Sequence, residues 1–248
     1  MDKYHKNQPK DRLLTKEQII AQVKNWNAYK KSKPNNKIPA FSHWAYRNID
    51  KLCDFIENPF CYKSRFKSLL FCQSPFKMLQ ERQRATLCKV SAILLLHTEA
   101  EYKQIGLLKT DGMDGITHQN LRDRYKTVFQ EVISKGRWDR AIRQLKDCGS
   151  LNVDAAFQEE ENEDGTAKVI HSIAAMKIFT NTFFSMIGVN HMKDVLLSIQ
   201  HTIKAAKDKG LNNHWKAYKT LGVLRNQPNG ERPHAPLPGY FDDSNLIH

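Results

Sequence analysis

Long hydrophobic runs are absent from this chain of 248 residues, whose longest uninterrupted aliphatic stretch is Ala92 to Leu96. A helix that spans a bilayer needs about 20 apolar residues, so the sequence argues against an integral membrane protein. The opening segment, Met1 to Arg12, is polar and charged, and no apolar signal-peptide core follows it. We therefore expect a cytoplasmic protein without a membrane partner.

Paired cysteines are also lacking. The five cysteines stand at irregular spacings, at Cys53, Cys61, Cys72, Cys88 and Cys148. Disulfide frameworks and structural zinc sites use an even number of cysteines or short paired spacings. We predict buried thiols in a reducing compartment, with no metal and no cofactor.

Catalytic motifs are missing as well. None of the ten histidines forms a His-x-His or His-x-x-x-His pair, which a metal-dependent nickase would need near its nucleophilic tyrosine. No glycine-rich loop ends in Gly-Lys-Ser or Gly-Lys-Thr, so a nucleotide-hydrolysing motor is disfavoured too. The segment from Asp111 to Gly115 lacks the alternating ligands of a calcium loop and is typical of a turn. We predict that the protein is not an enzyme and has no catalytic residues.

The chain is strongly basic instead. It holds 39 Lys plus Arg against 26 Asp plus Glu, a formal net charge of +13, and residues 1–90 alone carry 19 basic and 7 acidic side chains. A solubilising surface usually mixes both signs along the chain, whereas a lopsided distribution is typical of a protein that binds a polyanion. Nucleic acid is the leading candidate for the partner, and a purely solubilising charge is the alternative.

Helical periodicity begins at Thr15, where Thr15 and Gln18 have the spacing of a capping box. A first helix is predicted over 15–30. The segment 30–39 contains prolines and asparagines and little that could be buried, so it is interpreted as a linker. Residues 1–39 are therefore expected to form a basic N-terminal extension.

Further apolar periodicities predict a mainly α fold with a small β-hairpin. The expected helices cover about 44–58, 78–97, 118–133 and 137–147, and a turn is expected over 110–116. After residue 151 the period changes to two, and two strands are expected over 151–155 and 168–174, joined by an acidic loop. Helix, turn, helix and hairpin follow one another in the order of a winged helix-turn-helix domain.

The last of these helices is the expected recognition helix. Its apolar face carries Trp138, which we interpret as a core anchor, and the opposite face carries Arg137, Arg140, Arg143 and Gln144. These four are predicted to contact DNA, the alternative being a solvated helix face. Further predicted contacts, to phosphate rather than to bases, are Lys63, Arg65, Lys67, Arg82 and Arg84.

Three segments stand in order along the chain. Leu52 to Phe66 reads LCDFIENPFCYKSRF and precedes the basic cluster Glu81 to Arg84, Arg140 to Leu151 reads RAIRQLKDCGSL, and Lys177 to Val189 reads KIFTNTFFSMIGV. These segments resemble the RepA-type replication initiators of IncF-like plasmids. In that family the first is similar to a segment that precedes a long helix with a basic start, the second to the recognition-helix segment, and the third to the strand and helix that close the domain.

The likeness covers roughly residues 40 to 190, and it implies a winged-helix DNA-binding domain over 40–188. Residues 189–248 would add a C-terminal helix and a tail rich in Pro and Gly. The chain departs from the family in two places. The family's C-terminal part is longer and more basic than residues 189–248. The loop from Glu159 to Asp164 is acidic, whereas a wing that binds phosphate should be basic.

By resemblance, the protein is expected to be a plasmid replication initiator that binds duplex origin DNA and recruits host replication initiator and helicase proteins. A homodimer is an open alternative to a monomer. The main rival function is a winged-helix transcriptional repressor, which needs the same helix and hairpin. A rolling-circle nickase is disfavoured by the missing histidine pair, and an RNA-binding protein by the lack of an aromatic sheet motif.

Overall fold

The computed structural model describes residues 15–36, 38–61, 65–161 and 168–215. Its elements follow one another as α1 (Lys16–Ser32), α2 (His43–Glu57), α3 (Lys67–Leu70), α4 (Glu81–Leu96), β1 (Gly106–Lys109), β2 (Gly112–Gly115), α5 (His118–Phe129), α6 (Lys135–Asp147), β3 (Leu151–Glu161), β4 (Lys168–Phe179), α7 (Asn181–Ile187) and α8 (Lys193–Asp208). The expected helix-rich fold with an antiparallel hairpin is confirmed.

The central helix of the core is α4. Every residue from Ala85 to Leu96 is buried, and the helix packs against α2, α5 and α6. Its start at Glu81 is fixed by a capping box between Gln80 and Gln83, three residues after the predicted start. An all-round apolar surface is typical of a helix surrounded by other elements, which is why the sequence identified this helix clearly.

The N-terminal helix α1 belongs to the same core. Its buried face consists of Ile19, Ile20, Val23 and Trp26, and it packs against α2 and α5. Gln22 donates a hydrogen bond to the carbonyl of Phe129 at 3.2 Å, and the indole of Trp26 donates to the carbonyl of Pro39 at 2.9 Å. The described part of the extension expected over 1–39 is therefore not separate from the domain. The apolar face of α1 completes the core, and Trp26 bonds this helix to the linker that follows it.

Two antiparallel hairpins accompany the helices. In the longer one, β3 pairs with β4 so that Leu151 lies opposite Phe179, with a bulge at Asp154. In the shorter one, β1 pairs with β2 where the sequence predicts only a turn. A Cβ on Gly106 would lie 2.5 Å from the carbonyl oxygen of Asp114, so this hairpin requires glycine for its close approach.

A third segment lies along the free edge of β4. The amide of Ile105 donates to the carbonyl of Lys177 at 2.8 Å, and the amide of Phe179 donates to the carbonyl of Lys103 at 3.0 Å. Gln104 and Ile178 form an antiparallel bridge between these two bonds. Near residue 178, β4 therefore lies between β3 and the segment that leads into β1.

The helix predicted after residue 189 is α8, which packs on α2. It contributes Val195 and Ile199 to the core. The Asp194 carboxylate forms an ion pair with Arg47, 3.0 Å from its Nε, and lies 3.1 Å from Nε2 of His43. The C-terminal region is thereby joined to the domain over its described part. In the described ranges no helix has the length and apolar character needed to cross a membrane.

The five cysteines are free thiols; Cys53 and Cys88 are buried and the other three are half-buried. Four features named from the sequence fall outside the described residues: the opening segment Met1 to Arg12, Lys63, the centre of the acidic hairpin loop at 162–167, and the tail from residue 216.

Candidate nucleic-acid interface

Helix α6 has well-defined ends. The Ser134 hydroxyl accepts a hydrogen bond from the amide of Arg137 at 3.3 Å, which caps the N-terminus. At the other end Gly149 adopts φ +71°, and the amide of Ser150 donates to the carbonyl of Leu145 at 2.8 Å. A glycine in the left-handed region commonly ends a helix, as the sequence predicts here.

The buried face of α6 is anchored by Trp138. This side chain is fully buried, and its indole nitrogen donates to Nδ1 of His118 on α5 at 2.9 Å. The Tyr125 ring meets Trp138 edge-on, with ring centroids 6.5 Å apart. Burial lowers the pKa of His118 to about 4, and the charge of Lys177 adds to this effect. His118 is therefore neutral at neutral pH and keeps accepting the bond that fixes α5 against α6.

The exposed face of α6 carries Arg140 and Arg143. Residues three apart on a helix lie on one side, so the two guanidinium groups, together with the exposed Lys146, form a basic row. In the described part of the chain neither arginine has an ion-pair partner, whereas Lys135 is paired with Asp139 at 2.7 Å. The row is therefore open to an external anion.

The other two residues predicted on this face are held by the protein. Arg137 donates to the hydroxyl of Thr86 at 3.2 Å and lies 3.6 Å from Glu131, so it ties α6 to α4 and to the preceding turn. Gln144 is only 2% exposed. The expected DNA contact by Gln144 does not fit this geometry, because its side chain points into the core.

The residues predicted to contact phosphate also divide into exposed side chains and one that is bonded within the protein. Arg65, Lys67 and Arg82 are exposed. Arg84 is turned inward: its guanidinium donates to the carbonyl of Ile56 at 2.7 and 3.1 Å and to that of Leu79 at 2.7 Å. Its side chain thus joins the end of α2 to the start of α4, and a phosphate contact would break these bonds.

Several segments meet at the C-terminal end of α6. The Thr180 hydroxyl donates to the carbonyl of Gly149 at 2.6 Å, and its amide donates to the carbonyl of Ser150 at 3.1 Å. Burial, together with the nearby Cys148, raises the pKa of Cys72 to about 12. The bonds of Thr180 join the start of α7 to the C-terminal end of the helix that carries Arg140 and Arg143.

Sequence reasoning missed the role of Lys177. This side chain is fully buried, and its ammonium donates to the carbonyls of Ile116 at 2.7 Å and Ala175 at 2.8 Å. Burial lowers its pKa to about 8. The bond to Ile116 ties β4 to the start of α5, and a lysine within a strand gives no sequence signal for such a contact.

The described residues contain no cluster of three histidine, cysteine or acidic side chains that could hold a metal ion. Comparison with family models, curated proteins and solved structures found no match to this chain.

Proposed function

We propose that the protein is a winged-helix DNA-binding protein that acts as a plasmid replication initiator in the cytoplasm. The observation that carries this proposal is the exposure of Arg140 and Arg143, neither of which has an ion-pair partner among the described residues, on a helix whose other face is buried in the core. A helix held in this way presents its basic row at a fixed angle, which readout of base edges requires.

The surrounding topology supports the proposal. Helices α4, α5 and α6 pack together, and a hairpin follows α6. The segment around Gln104 lies along the other edge of β4, where Gln104 and Ile178 form an isolated antiparallel bridge. Packed helices followed by a hairpin are the order of elements in a winged helix, in which the last helix would enter the major groove.

The two classes of basic residue would act differently. Arginine binds the major-groove edge of guanine with two hydrogen bonds, and such a pair contributes about 1 to 3 kcal/mol of discrimination. Arg140 and Arg143 are assigned this role. Lys67 and Arg82 are assigned to phosphate, where they would contribute to affinity for any sequence. Opening of the origin would use binding energy, with host replication initiator and helicase proteins as the recruited partners.

The test begins with selection of duplexes by the full-length protein from a random-sequence library. We expect one motif to be enriched. Arg140→Ala and Arg143→Ala should each weaken binding to that duplex about 5- to 150-fold, which corresponds to ~1 to 3 kcal/mol, and they should affect a random duplex much less. Arg143→Lys keeps the charge but loses the two-bond geometry, so it should retain binding to random duplex and lose preference for the motif.

Lys204→Ala is the matched control, since it removes an exposed charge from α8. If the arginine variants bind the selected duplex as tightly as Lys204→Ala does, α6 is not the recognition helix. A plasmid that carries the selected motif then separates initiator from repressor. Replication that depends on the protein supports the initiator, whereas repression of a nearby promoter without replication supports the repressor.

A further inference from the structure

A shallow depression of about 450 Å³ lies between the segment before α3 and helix α7. It is lined by one guanidinium, three hydroxyl side chains, an amide and a thioether, those of Arg65, Ser68, Thr182, Ser185, Asn181 and Met186. None of the lining residues is acidic. The depression therefore offers a single cation surrounded by neutral hydrogen-bonding groups.

We propose that Arg65 and the hydroxyl groups around it bind one phosphodiester group of the DNA backbone beside the end of the recognition helix. This inference rests on the proposed DNA-binding function and adds a defined contact to it. A guanidinium combined with hydroxyl donors matches the donor set that proteins commonly use for phosphate oxygens.

The guanidinium of Arg65 is placed by its neighbours. It is seated against Gly188, which ends α7 with φ +72°. A Cβ at position 188 would collide with Nη1 of Arg65. In the described part of the chain Arg65 has no carboxylate partner. The glycine thus leaves room for a guanidinium whose charge is not neutralised within the described structure.

The position of the depression agrees with the proposed docking of α6. Asn181, at its edge, follows Thr180, which bonds to the carbonyls of Gly149 and Ser150 at the end of α6. A helix that lies in the major groove has the DNA backbone on both sides, and contacts to phosphates there fix its register. The depression stands where such a backbone contact would be made.

The open shape favours a phosphodiester over a free small anion. Enclosed pockets bury most of a small ligand's surface, whereas this depression is broadly open to solvent. A backbone phosphate can cross such a surface because the rest of the DNA is held elsewhere, on Arg140 and Arg143. A free phosphate would have to be held by the depression alone.

The test measures binding of the full-length protein to a random-sequence duplex over a series of salt concentrations. Neutralisation of one phosphate contributes about 0.9 to the slope of log K against log salt. We expect Arg65→Ala to reduce the slope by about that amount and to weaken binding several-fold for every sequence. The double variant Thr182→Val and Ser185→Ala should weaken binding with the slope unchanged, since it removes hydroxyls but no charge.

Gly188→Ala gives a second, independent test, because it keeps the charge of Arg65 and displaces its guanidinium. It should weaken DNA binding relative to the parent, and its folded state is checked by circular dichroism and urea unfolding. Lys204→Ala serves as the control for the loss of one positive charge. An Arg65→Ala protein that matches Lys204→Ala in affinity and slope would overturn the proposal.

Three further outcomes are distinguishable. Should inorganic phosphate bind the parent but not Arg65→Ala, while it leaves DNA binding by the parent unchanged at constant ionic strength, the depression is a site for free phosphate and the proposal is wrong. Should the parent fail to bind any duplex, the proposed function fails and this contact fails with it. Duplex binding by the parent with no effect of the Arg65 and Gly188 variants would remove this contact alone.

Discussion

His97 is a titratable side chain that is largely buried in the folded protein. It is only 5% exposed, at the end of the central helix α4. Burial, together with the positive charge of Arg124, lowers its pKa from 6.5 to about 3. The folded protein therefore keeps this imidazole neutral, whereas the unfolded chain takes up a proton there below about pH 6.5.

This difference predicts loss of stability in acid. Because the unfolded state binds the proton more readily, the free energy of unfolding should fall as the pH decreases from about 6.5 toward 3, by up to roughly 1.4 kcal/mol per pH unit for one such group. His97→Phe should show a shallower fall in urea unfolding measured across this range. The exposed His191→Gln variant is the control, and an equal fall in parent and His97→Phe would contradict the prediction.

Residue-level burial also explains why some of the residues predicted to contact DNA are exposed and others are held within the protein. A helical wheel places Gln144 near Arg140, but it contains no information on which side of the helix other elements cover. Likewise Arg82 and Arg84 cannot be told apart by their local sequence at the start of α4. In the structure Arg84 bonds to backbone carbonyls, whereas Arg82 is exposed. Tertiary contacts decide such cases, and they are not encoded in local spacing.

Among the elements, the long periodic ones could be predicted well. Capping residues and apolar spacing located α1, α4 and α6 to within a few residues, and a period of two located β3 and β4. The four-residue strands β1 and β2 are too short to show a period. The pairing of Gln104 with Ile178 joins distant parts of the chain, so no local pattern indicates it.

The role of α1 can be tested directly. Val23 is fully buried on this helix, so Val23→Ala should destabilise the whole protein by about 2 kcal/mol through lost burial and a cavity. Lys31→Ala on the exposed end of the same helix should change stability by no more than about 0.5 kcal/mol. Urea unfolding followed by tryptophan fluorescence measures both. An unchanged unfolding midpoint for Val23→Ala would mean that α1 is an appendage after all.

For the whole molecule, the charge has one dominant consequence. A net charge of +13 favours association with any polyanion through release of counterions. We expect the affinity for random duplex DNA to fall steeply and linearly on a log–log plot as salt increases, by fluorescence anisotropy. An affinity independent of salt would contradict the proposed function, since phosphate contacts cannot form without this dependence.

The bond between Ile105 and Lys177 also sets the order in which the domain can be assembled during synthesis. The segment between them contains β1, β2, α5, α6, β3 and most of β4, so it forms a single large loop that closes only when β4 is present. Closing a long loop carries an entropic cost, and proteins with such distant contacts fold slowly. A nascent chain that ends before residue 177 cannot form this bond, so the loop that contains α5 and α6 stays open until translation has passed that point.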